Sequence, residues 1–358
     1  MSAKGPFDSV TRRSFLRNAT LAGAGAVAGR AGAEAHSQLT TNPDSGAAMQ
    51  PSYAVPRRPF GKTGEQVSII GVGGFHLGAT KDQQEANTLV ARAIDAGVNF
   101  FDNAWEYKEG LSEERLGVAL QGKRDKVILM TKVCTHGRDK SVGMQQLEQS
   151  LRRLRTDHLD VWQIHEVVYY NDPEMIFRPD GVIEALAAAK QQGKVRWVGF
   201  TGHKDPAIHL KMLSHDFPFD TVQMPLNPLD ASYWSFQHRV LPEANKRGMA
   251  VLGMKSLGGS GEMVTHGAMT PEEGLRYAMS LPVATTISGM DSLEVLEQNL
   301  AIASAFKPMD EAERKALEDQ VRVWAADGRY ELFKSTMKYD GDVGREQHQF
   351  PTPEKLPA

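Results

Sequence analysis

Three titratable residues, Asp102, Lys132 and His165, stand at the ends of three successive apolar segments of the sequence. If these segments are parallel β-strands, their carboxyl ends share one edge of the sheet, and the three side chains converge there. Tyr107 follows Asp102 by five residues, so it lies in the loop after the first of these strands and can reach the same edge. One such residue alone is usually structural, but the four together predict a catalytic centre.

This set of side chains suits proton transfer to an oxygen atom. A phenol ordinarily has a pKa of about 10, so the sequence predicts that Lys132 favours the ionised form of Tyr107 and that Asp102 holds Lys132 charged. His165 would hydrogen-bond the substrate oxygen. Such a centre suits the reduction of a carbonyl group, whose oxygen gains negative charge as hydride reaches the carbon. Because no side chain supplies hydride, the prediction includes a nicotinamide cofactor.

The elements that would position these residues alternate regularly along the chain. Strand patterns centred near 70, 100, 129, 161, 198, 222, 251 and 285 are each followed by a helical pattern. Eight such units predict the α/β class and a (β/α)8 TIM barrel, and they disfavour the alternative of a doubly wound open sheet. A short N-terminal β-hairpin turning at Gly61 to Gly64 and an extra C-terminal helix at about 310–328 complete the predicted fold.

The composition excludes several classes of function. The chain has 358 residues, of which 41% are hydrophobic and 24% charged, and its net charge of -3 predicts no nucleic-acid partner. The single cysteine, Cys134, excludes an intramolecular disulfide and a cysteine-ligated iron–sulfur cluster, and it is interpreted as a packing thiol. No metal is expected, because His165 alone of eleven histidines directly ends a strand. No apolar run is long enough to span a membrane.

The chain divides into four predicted segments. They are a signal peptide at 1–35, a flexible linker at 36–55, the barrel at 56–330 and a polar C-terminal tail at 331–358, which is expected to be loosely held beyond Tyr339. The first segment resembles a twin-arginine export signal, because Arg12 and Arg13 precede a weakly apolar Ala/Gly stretch and a small-residue cleavage site.

This signal predicts a periplasmic or otherwise extracytoplasmic location and the twin-arginine export machinery as a partner. The alternative is a disordered Ala/Gly tail with an incidental arginine pair, in which case the location would be cytoplasmic.

From about Arg57 to Ala305 the chain resembles the aldo-keto reductase family. The resemblance is carried by segments 97–104, 112–117, 130–132 and 160–165, which include Asp102, Lys132 and His165. It implies the same barrel, NAD(P)H as cofactor and an aldehyde or ketone as the small-molecule substrate. It also implies that Tyr107 is the general acid, that Lys132 and Asp102 tune it, and that His165 orients the carbonyl.

The resemblance further implies a cofactor site. Its residues would be Gly73, Gly74, Phe75, Asp102, Thr201, Gly202, Gln223, Met254, Lys255, Leu257, Gly289, Gln298 and Asn299. Gly202 replaces an asparagine of the family, and Met254 replaces a ring-stacking aromatic residue. Gly289 and Val295 stand where a lysine and an arginine usually bind the 2′-phosphate. These replacements weaken the expected preference for NADPH over NADH, and NADP(H) is preferred over NAD(H) on family grounds alone.

A polar substrate pocket is predicted from His76, Trp105, Glu166 and Asn227. Glu166 follows the catalytic histidine, where many family members carry an aromatic residue, and this favours a hydroxylated, sugar-like carbonyl substrate. An orientation of Glu166 towards a neighbouring loop stays open. The alternative function is a nucleotide-binding regulatory or sensing protein that retains the reductase fold. The altered cofactor contacts favour that alternative, and the complete catalytic set disfavours it.

Overall fold

The computed structural model of the protein describes residues 52–355. The predicted signal peptide and nearly all of the predicted linker lie outside the described residues. Within 52–355, no helix combines the length and the apolar character needed to cross a membrane.

The described chain begins with a two-stranded antiparallel sheet and continues into a closed barrel of eight parallel strands. The first sheet consists of β1 (Arg57–Pro59) and β2 (Gln66–Ser68). The barrel strands are β3 (Ile70–Gly73), β4 (Phe100–Asp102), β5 (Ile128–Val133), β6 (Leu159–Ile164), β7 (Val195–Thr201), β8 (Thr221–Pro225), β9 (Ala250–Met254) and β10 (Thr285–Gly289). Neighbours in sequence are neighbours in the barrel, and β10 pairs with β3 to close it. The predicted fold class is confirmed.

Helices connect and cover these strands. They are α1 (Gly74–Leu77), α2 (Gln83–Asp95), α3 (Leu111–Ala119), α4 (Lys140–Leu154), α5 (Asp172–Phe177), α6 (Val182–Gln191), α7 (Pro206–Ser214), α8 (Phe236–Arg239), α9 (Leu241–Lys246), α10 (Glu262–Thr265), α11 (Pro271–Ser280), α12 (Leu293–Ser304), α13 (Glu311–Ala325), α14 (Leu332–Ser335) and α15 (Asp342–Gln347). Single 3-10 turns lie at Tyr107–Gly110, Arg124–Lys126 and Pro353–Lys355. Both α11 and α13 begin with a capping box, formed by Thr270 with Glu273 and by Asp310 with Glu313.

The hairpin β1–β2 closes the amino-terminal end of the barrel. Phe60 in its turn is fully buried and packs against Phe100, the first residue of β4, and Trp197, the third residue of β7. Arg58 Nη1 donates hydrogen bonds to the carbonyl groups of Met279 and Val283, each 3.0 Å long, just before β10. The mouth at the carboxyl end is therefore the end at which chemistry can take place.

The C-terminal segment differs from the predicted loosely held tail. After the expected helix α13, the chain returns to the barrel and buries Phe333, Lys334, Asp340 and Arg345. Asp340 accepts a hydrogen bond of 2.7 Å from Lys204, in the loop after β7. Polar residues in this segment are buried with partners from the barrel, and a polar composition alone does not distinguish that case from an exposed tail.

Candidate active site

The catalytic candidates meet at the carboxyl ends of adjacent strands. Asp102 is the last residue of β4, Lys132 lies near the end of β5 and His165 directly follows β6. Parallel pairing sets Asp102 beside Met130, two residues before Lys132. The barrel geometry thus places three neighbouring strand ends on one side of the mouth.

Lys132 is the centre of this group. Its side chain is 1% exposed, and its Nζ donates to the Asp102 carboxylate and, at 2.7 Å, to the Asn103 carbonyl oxygen. The same Nζ lies 3.4 Å from Tyr107 Oη. Gln223 Nε2 donates to the other Asp102 oxygen at 3.4 Å, which connects β8 to the group. A buried ammonium with these partners holds the phenol in a fixed position.

The loop after β4 bends sharply to bring Tyr107 over the mouth. Lys108 and Glu109 both adopt left-handed backbone conformations, with φ of 53° and 57°. The Tyr107 ring makes edge-to-face contacts with Phe75 and with His165, each at 5.5 Å between ring centres. These contacts fix the ring between the predicted cofactor loop and the predicted orienting histidine.

The electrostatics of Tyr107 differ from the expectation. Burial, followed by the negative charges of Asp102 and Glu106, raises the pKa of the phenol well above its ordinary value. Burial also lowers the pKa of Lys132, against the attraction of Asp102. The expected preference for an ionised phenol is therefore wrong for this arrangement: Tyr107 stays protonated and can act as a proton donor.

His165 faces Glu106, a residue that the sequence reasoning overlooked. Its Nδ1 lies 2.5 Å from Glu106 Oε1. Burial lowers the pKa of His165, and the Glu106 carboxylate opposes that effect. A carboxylate beside Nδ1 favours the tautomer with the proton on that nitrogen. Nε2 is therefore a hydrogen-bond acceptor in the neutral ring and a donor in the protonated ring.

Arg138 holds the loop that carries His165. Its guanidinium is fully buried, and it donates to the carbonyl oxygens of His165 at 2.9 Å and Glu166 at 2.7 Å. It also donates to Asp172 Oδ1 at 3.0 Å. The Arg138 charge, with hydrogen bonds from Arg138 and two backbone groups, outweighs burial and lowers the pKa of Asp172. These guanidinium hydrogen bonds fix the backbone of the loop that carries His165.

Glu106 belongs to a buried cluster beside the catalytic group. Cys134 Sγ donates to the Glu106 carboxylate and lies 3.3 Å from His136 Nε2, and this nitrogen lies 3.5 Å from Glu166 Oε2. Cys134 is thus a polar contact as well as a packing thiol. The available signals were the spacing of Cys134 and His136, just past a catalytic strand, and the pair His165 and Glu166 at the next.

A comparison with protein families establishes the family to which the chain belongs. The model of the aldo/keto reductase family matches residues 69–273. The chain belongs to the aldo/keto reductase family.

Individual relatives agree with this assignment. The oxidoreductase YqkF of Bacillus subtilis (strain 168) is 26% identical over 306 residues, which cover 74% of this chain and 96% of that protein. L-galactose dehydrogenase of Arabidopsis thaliana is 34% identical over 155 residues, covering 40% of this chain and 48% of that protein. The solved holo form of aldo-keto reductase AKR11C1 from Bacillus halodurans has the same fold, with a TM-score of 0.63 and 24% identity over 74% of this chain and 96% of that one. The protein is therefore an oxidoreductase.

The family generally uses NAD(P)H, and the predicted cofactor residues of this reductase lie at the same end of the barrel as Tyr107. Gly73, Thr201, Met254 and Gly289 end β3, β7, β9 and β10, and Gln223 lies within β8. The buried Gln223 Oε1 has no hydrogen-bond partner among the described residues. An unpartnered acceptor beside Asp102 fits a donor such as the carboxamide of a nicotinamide.

The other predicted cofactor residues are arranged around this edge. Gly74 and Phe75 begin α1, Lys255 and Leu257 lie in the loop after β9, and Gln298 and Asn299 lie on α12. Asn299 Nδ2 donates to Ser288 Oγ at 3.1 Å, which joins α12 to β10. A Cβ on Gly202 would lie 2.2 Å from the Val167 carbonyl oxygen, so close packing explains the glycine where the family has asparagine.

The four predicted pocket residues separate into two groups. Trp105 Nε1 donates to Gln149 on α4 at 2.7 Å, and Asn227 Nδ2 donates to Glu331 at 3.1 Å, so the polar atoms of both are engaged away from the catalytic group. The His76 ring packs directly against Gly289 at the mouth. Glu166 Oε2 accepts a hydrogen bond of 2.9 Å from the Gly341 backbone. The open alternative for Glu166, an orientation towards a neighbouring loop, matches this contact.

Proposed function

We propose that the protein is an NAD(P)H-dependent reductase of aldehydes or ketones that also oxidises the corresponding alcohols. The observation that carries this proposal is the position of Tyr107 Oη, 3.4 Å from the buried Lys132 Nζ and beside the His165 ring. A protonated phenol held by an ammonium, with an imidazole next to it, is a device for moving one proton at an oxygen atom.

Each side chain has one task in this mechanism. When bound, the nicotinamide supplies or accepts hydride at the substrate carbon. Tyr107 donates its proton to the substrate oxygen during reduction, and Lys132 keeps the phenol oriented and stabilises the negative charge left on it. His165 Nε2 holds the same oxygen: in the neutral ring, the form that burial favours, it accepts from an alcohol, and in the protonated ring it donates to a carbonyl.

Tyr107→Phe tests this mechanism. Loss of the phenol should lower kcat by about 10²- to 10⁴-fold while the Kd for the nucleotide, measured by fluorescence titration, stays within about twofold. Tyr170→Phe is the matched control, because Tyr170 is 71% exposed and bonds to Asp205 away from the catalytic group. Nucleotide binding without turnover in the wild-type protein would instead support the regulatory or sensing alternative.

The preference between nucleotides follows from the family. We propose NADP(H) as the cofactor, with weak discrimination, since neither Gly289 nor Val295 offers a charge to a 2′-phosphate. Comparison of kcat/KM for NADPH and NADH tests this choice, and a clear preference for NADH would contradict it.

We also propose a hydroxylated, sugar-like substrate. Charged and polar groups lie in the loops after β6 and β7 and in the C-terminal segment: Lys204 contacts Asp340 at 2.7 Å, and Tyr169 Oη contacts the same carboxylate at 3.1 Å. L-galactose dehydrogenase is among the relatives. A panel that pairs sugar aldehydes with apolar aldehydes of similar size tests this proposal, and turnover of the apolar members alone would refute it.

We also propose that the protein is exported by the twin-arginine route, on the basis of the sequence of its first 35 residues. Replacement of Arg12 and Arg13 by lysine should retain the protein in the cytoplasm, as judged by cell fractionation. Unchanged fractionation of this variant would contradict it.

A further inference from the structure

Two carboxylates, the half-buried Glu106 and the buried Glu166, lie beside the proposed catalytic group without a lysine or arginine as ion-pair partner among the described residues. Their ion-pair partners are imidazoles: Glu106 contacts His165, and Glu166 contacts His136. Buried carboxylates are costly unless they are protonated, paired with a cation or bound to a metal. Of the nearby cations, Lys132 contacts Asp102 and Arg138 contacts Asp172. Lys255 attracts Glu166 electrostatically but forms no ion pair with it among the described residues.

The side chains around these carboxylates are those that bind zinc. The ligand atoms of Glu106, Cys134 and His136 all lie within 4.8 Å of one another. Donor atoms bound tetrahedrally to zinc at roughly 2.0–2.3 Å are about 3.3–3.7 Å apart. Cys134 Sγ and His136 Nε2 are separated by 3.3 Å, and Glu166 Oε2 lies 3.5 Å from the same nitrogen. Cys134 Sγ and the Glu106 carboxylate are in direct hydrogen-bond contact, closer than two ligands of one ion, so they have to move apart when an ion binds. Thiolate, imidazole and carboxylate together select zinc-like ions over magnesium or calcium.

The C-terminal segment leaves space for this cluster and closes it. A Cβ on Gly341 would lie 2.9 Å from Glu166 Oε2 and 3.3 Å from Glu106 Oε2, and a Cβ on Gly344 would lie 2.7 Å from the His136 ring. Both carboxylate oxygens thus face one point at which the chain has no side chain. His136 is itself 1% exposed, and its Nε2 is directed at Cys134 and Glu166.

Aldo/keto reductases generally use no metal. For this chain we propose that the cluster binds one divalent cation of the zinc class through Glu106, Cys134 and His136, with Glu166, 3.5 Å from His136 Nε2, as the donor for the fourth position. Binding forms three metal–protein bonds and releases the thiol proton of Cys134 to solvent. The ion joins Glu106, the residue before Tyr107, to the loop that follows Lys132. It therefore positions the phenol relative to the ammonium and is separate from hydride transfer. Glu106 Oε1 stays beside His165.

The test uses the full chain without a polyhistidine tag. Protein treated with a chelator is titrated with Co²⁺ and with Zn²⁺, and bound metal is measured by mass spectrometry. We expect one equivalent per chain, a tetrahedral Co²⁺ spectrum with a sulfur-to-cobalt charge-transfer band, and a rise in Tm on Zn²⁺ binding.

Variants assign the ligands. Cys134→Ala should abolish the charge-transfer band, and both it and His136→Ala should weaken Zn²⁺ binding by about 100-fold or more. His238→Ala, on α8, is the matched control and should bind as the wild type does. Thermal melts of the metal-free variants establish that they fold. Tyr107→Phe should retain the metal, so failure of the proposed reductase mechanism would leave this result intact. Absence of stoichiometric binding, or full binding by both ligand variants, would overturn the proposal.

Discussion

Two clusters of charged residues near the barrel mouth compensate the negative charge of their carboxylates in different ways. In the first, Lys334 Nζ contacts Asp230 at 2.6 Å and Glu331 at 3.0 Å, and all three side chains are fully buried. In the second, Glu106 and Glu166 face imidazoles and a thiol, and among the described residues neither carboxylate forms an ion pair with a lysine or arginine. The first cluster contains its own cation, whereas the second does not.

This difference distinguishes a cluster that stabilises the fold from a cluster that lies beside the proposed catalytic residues. Asp230 also accepts hydrogen bonds from the backbone of Phe236 at 3.1 Å and Gln237 at 2.8 Å, so the first cluster ties the C-terminal segment to the loop after β8. In the second cluster, burial and the charge of Glu106 raise the pKa of Glu166 well above its ordinary value. That cluster can therefore hold a proton, and it contacts His165, the proposed carbonyl-orienting residue.

Removal of the cation from the first cluster should have the largest effect. Lys334→Met leaves two buried carboxylates unpaired and should lower the free energy of unfolding by about 3–5 kcal/mol. Urea denaturation at neutral pH measures the loss. Lys315→Met is the control, because Lys315 forms an exposed ion pair with Asp319 on α13 and should change stability by less than about 1 kcal/mol. Equal losses in the two variants would remove the distinction between the clusters.

Replacement of one carboxylate by its neutral amide should destabilise the protein in the first cluster but not in the second. Asp230→Asn replaces an oxygen that accepts hydrogen bonds with an amide donor and should cost about 2–3 kcal/mol. Glu166→Gln removes one of two facing carboxylates and keeps an acceptor for the Gly341 N–H, so in chelator-treated protein it should be neutral or stabilising. Denaturation of both variants in the same buffer makes the comparison. A larger loss for Glu166→Gln would show that this carboxylate is a structural anchor.

Replacement of Lys255, which lies between the two clusters, should have the smallest effect on stability, and this effect should depend on pH. Burial, with a contribution from Lys132 and against the attraction of Glu166, lowers its pKa to about 8. Between about pH 8 and the unfolded value near 10.5, the unfolded chain holds a proton that the folded chain has lost. Wild-type stability should therefore rise with pH across this window relative to Lys255→Met. Parallel stability curves would contradict the assignment.

Much of the fold could be predicted because it depends on local patterns. The eight strands lie where the apolar segments indicated, and the capping boxes at Thr270 and Asp310 begin α11 and α13. The convergence of the strand ends followed from parallel pairing alone. These features depend on the backbone periodicity and on residues close in sequence.

The remaining features depend on contacts between distant residues. The contact of Glu106 with His165 requires the left-handed turn at Lys108 and Glu109, and φ of 48° at Glu166 sets the neighbouring loop. The return of the C-terminal segment depends on pairs such as Lys334 with Asp230, 104 residues apart. Sequence composition registered these residues as polar and gave no sign of their burial.

Phe60 and the β1–β2 hairpin cover the amino-terminal end of the barrel, so both reactants of the proposed reaction approach from the carboxyl end. Two reactants that enter from the same end of the barrel can obstruct one another, and the one that binds deeper then has to bind first and leave last. We therefore expect that, if the proposed nucleotide binds deeper than the carbonyl substrate, it binds first and leaves last, and steady-state inhibition patterns with product and dead-end analogues test this order.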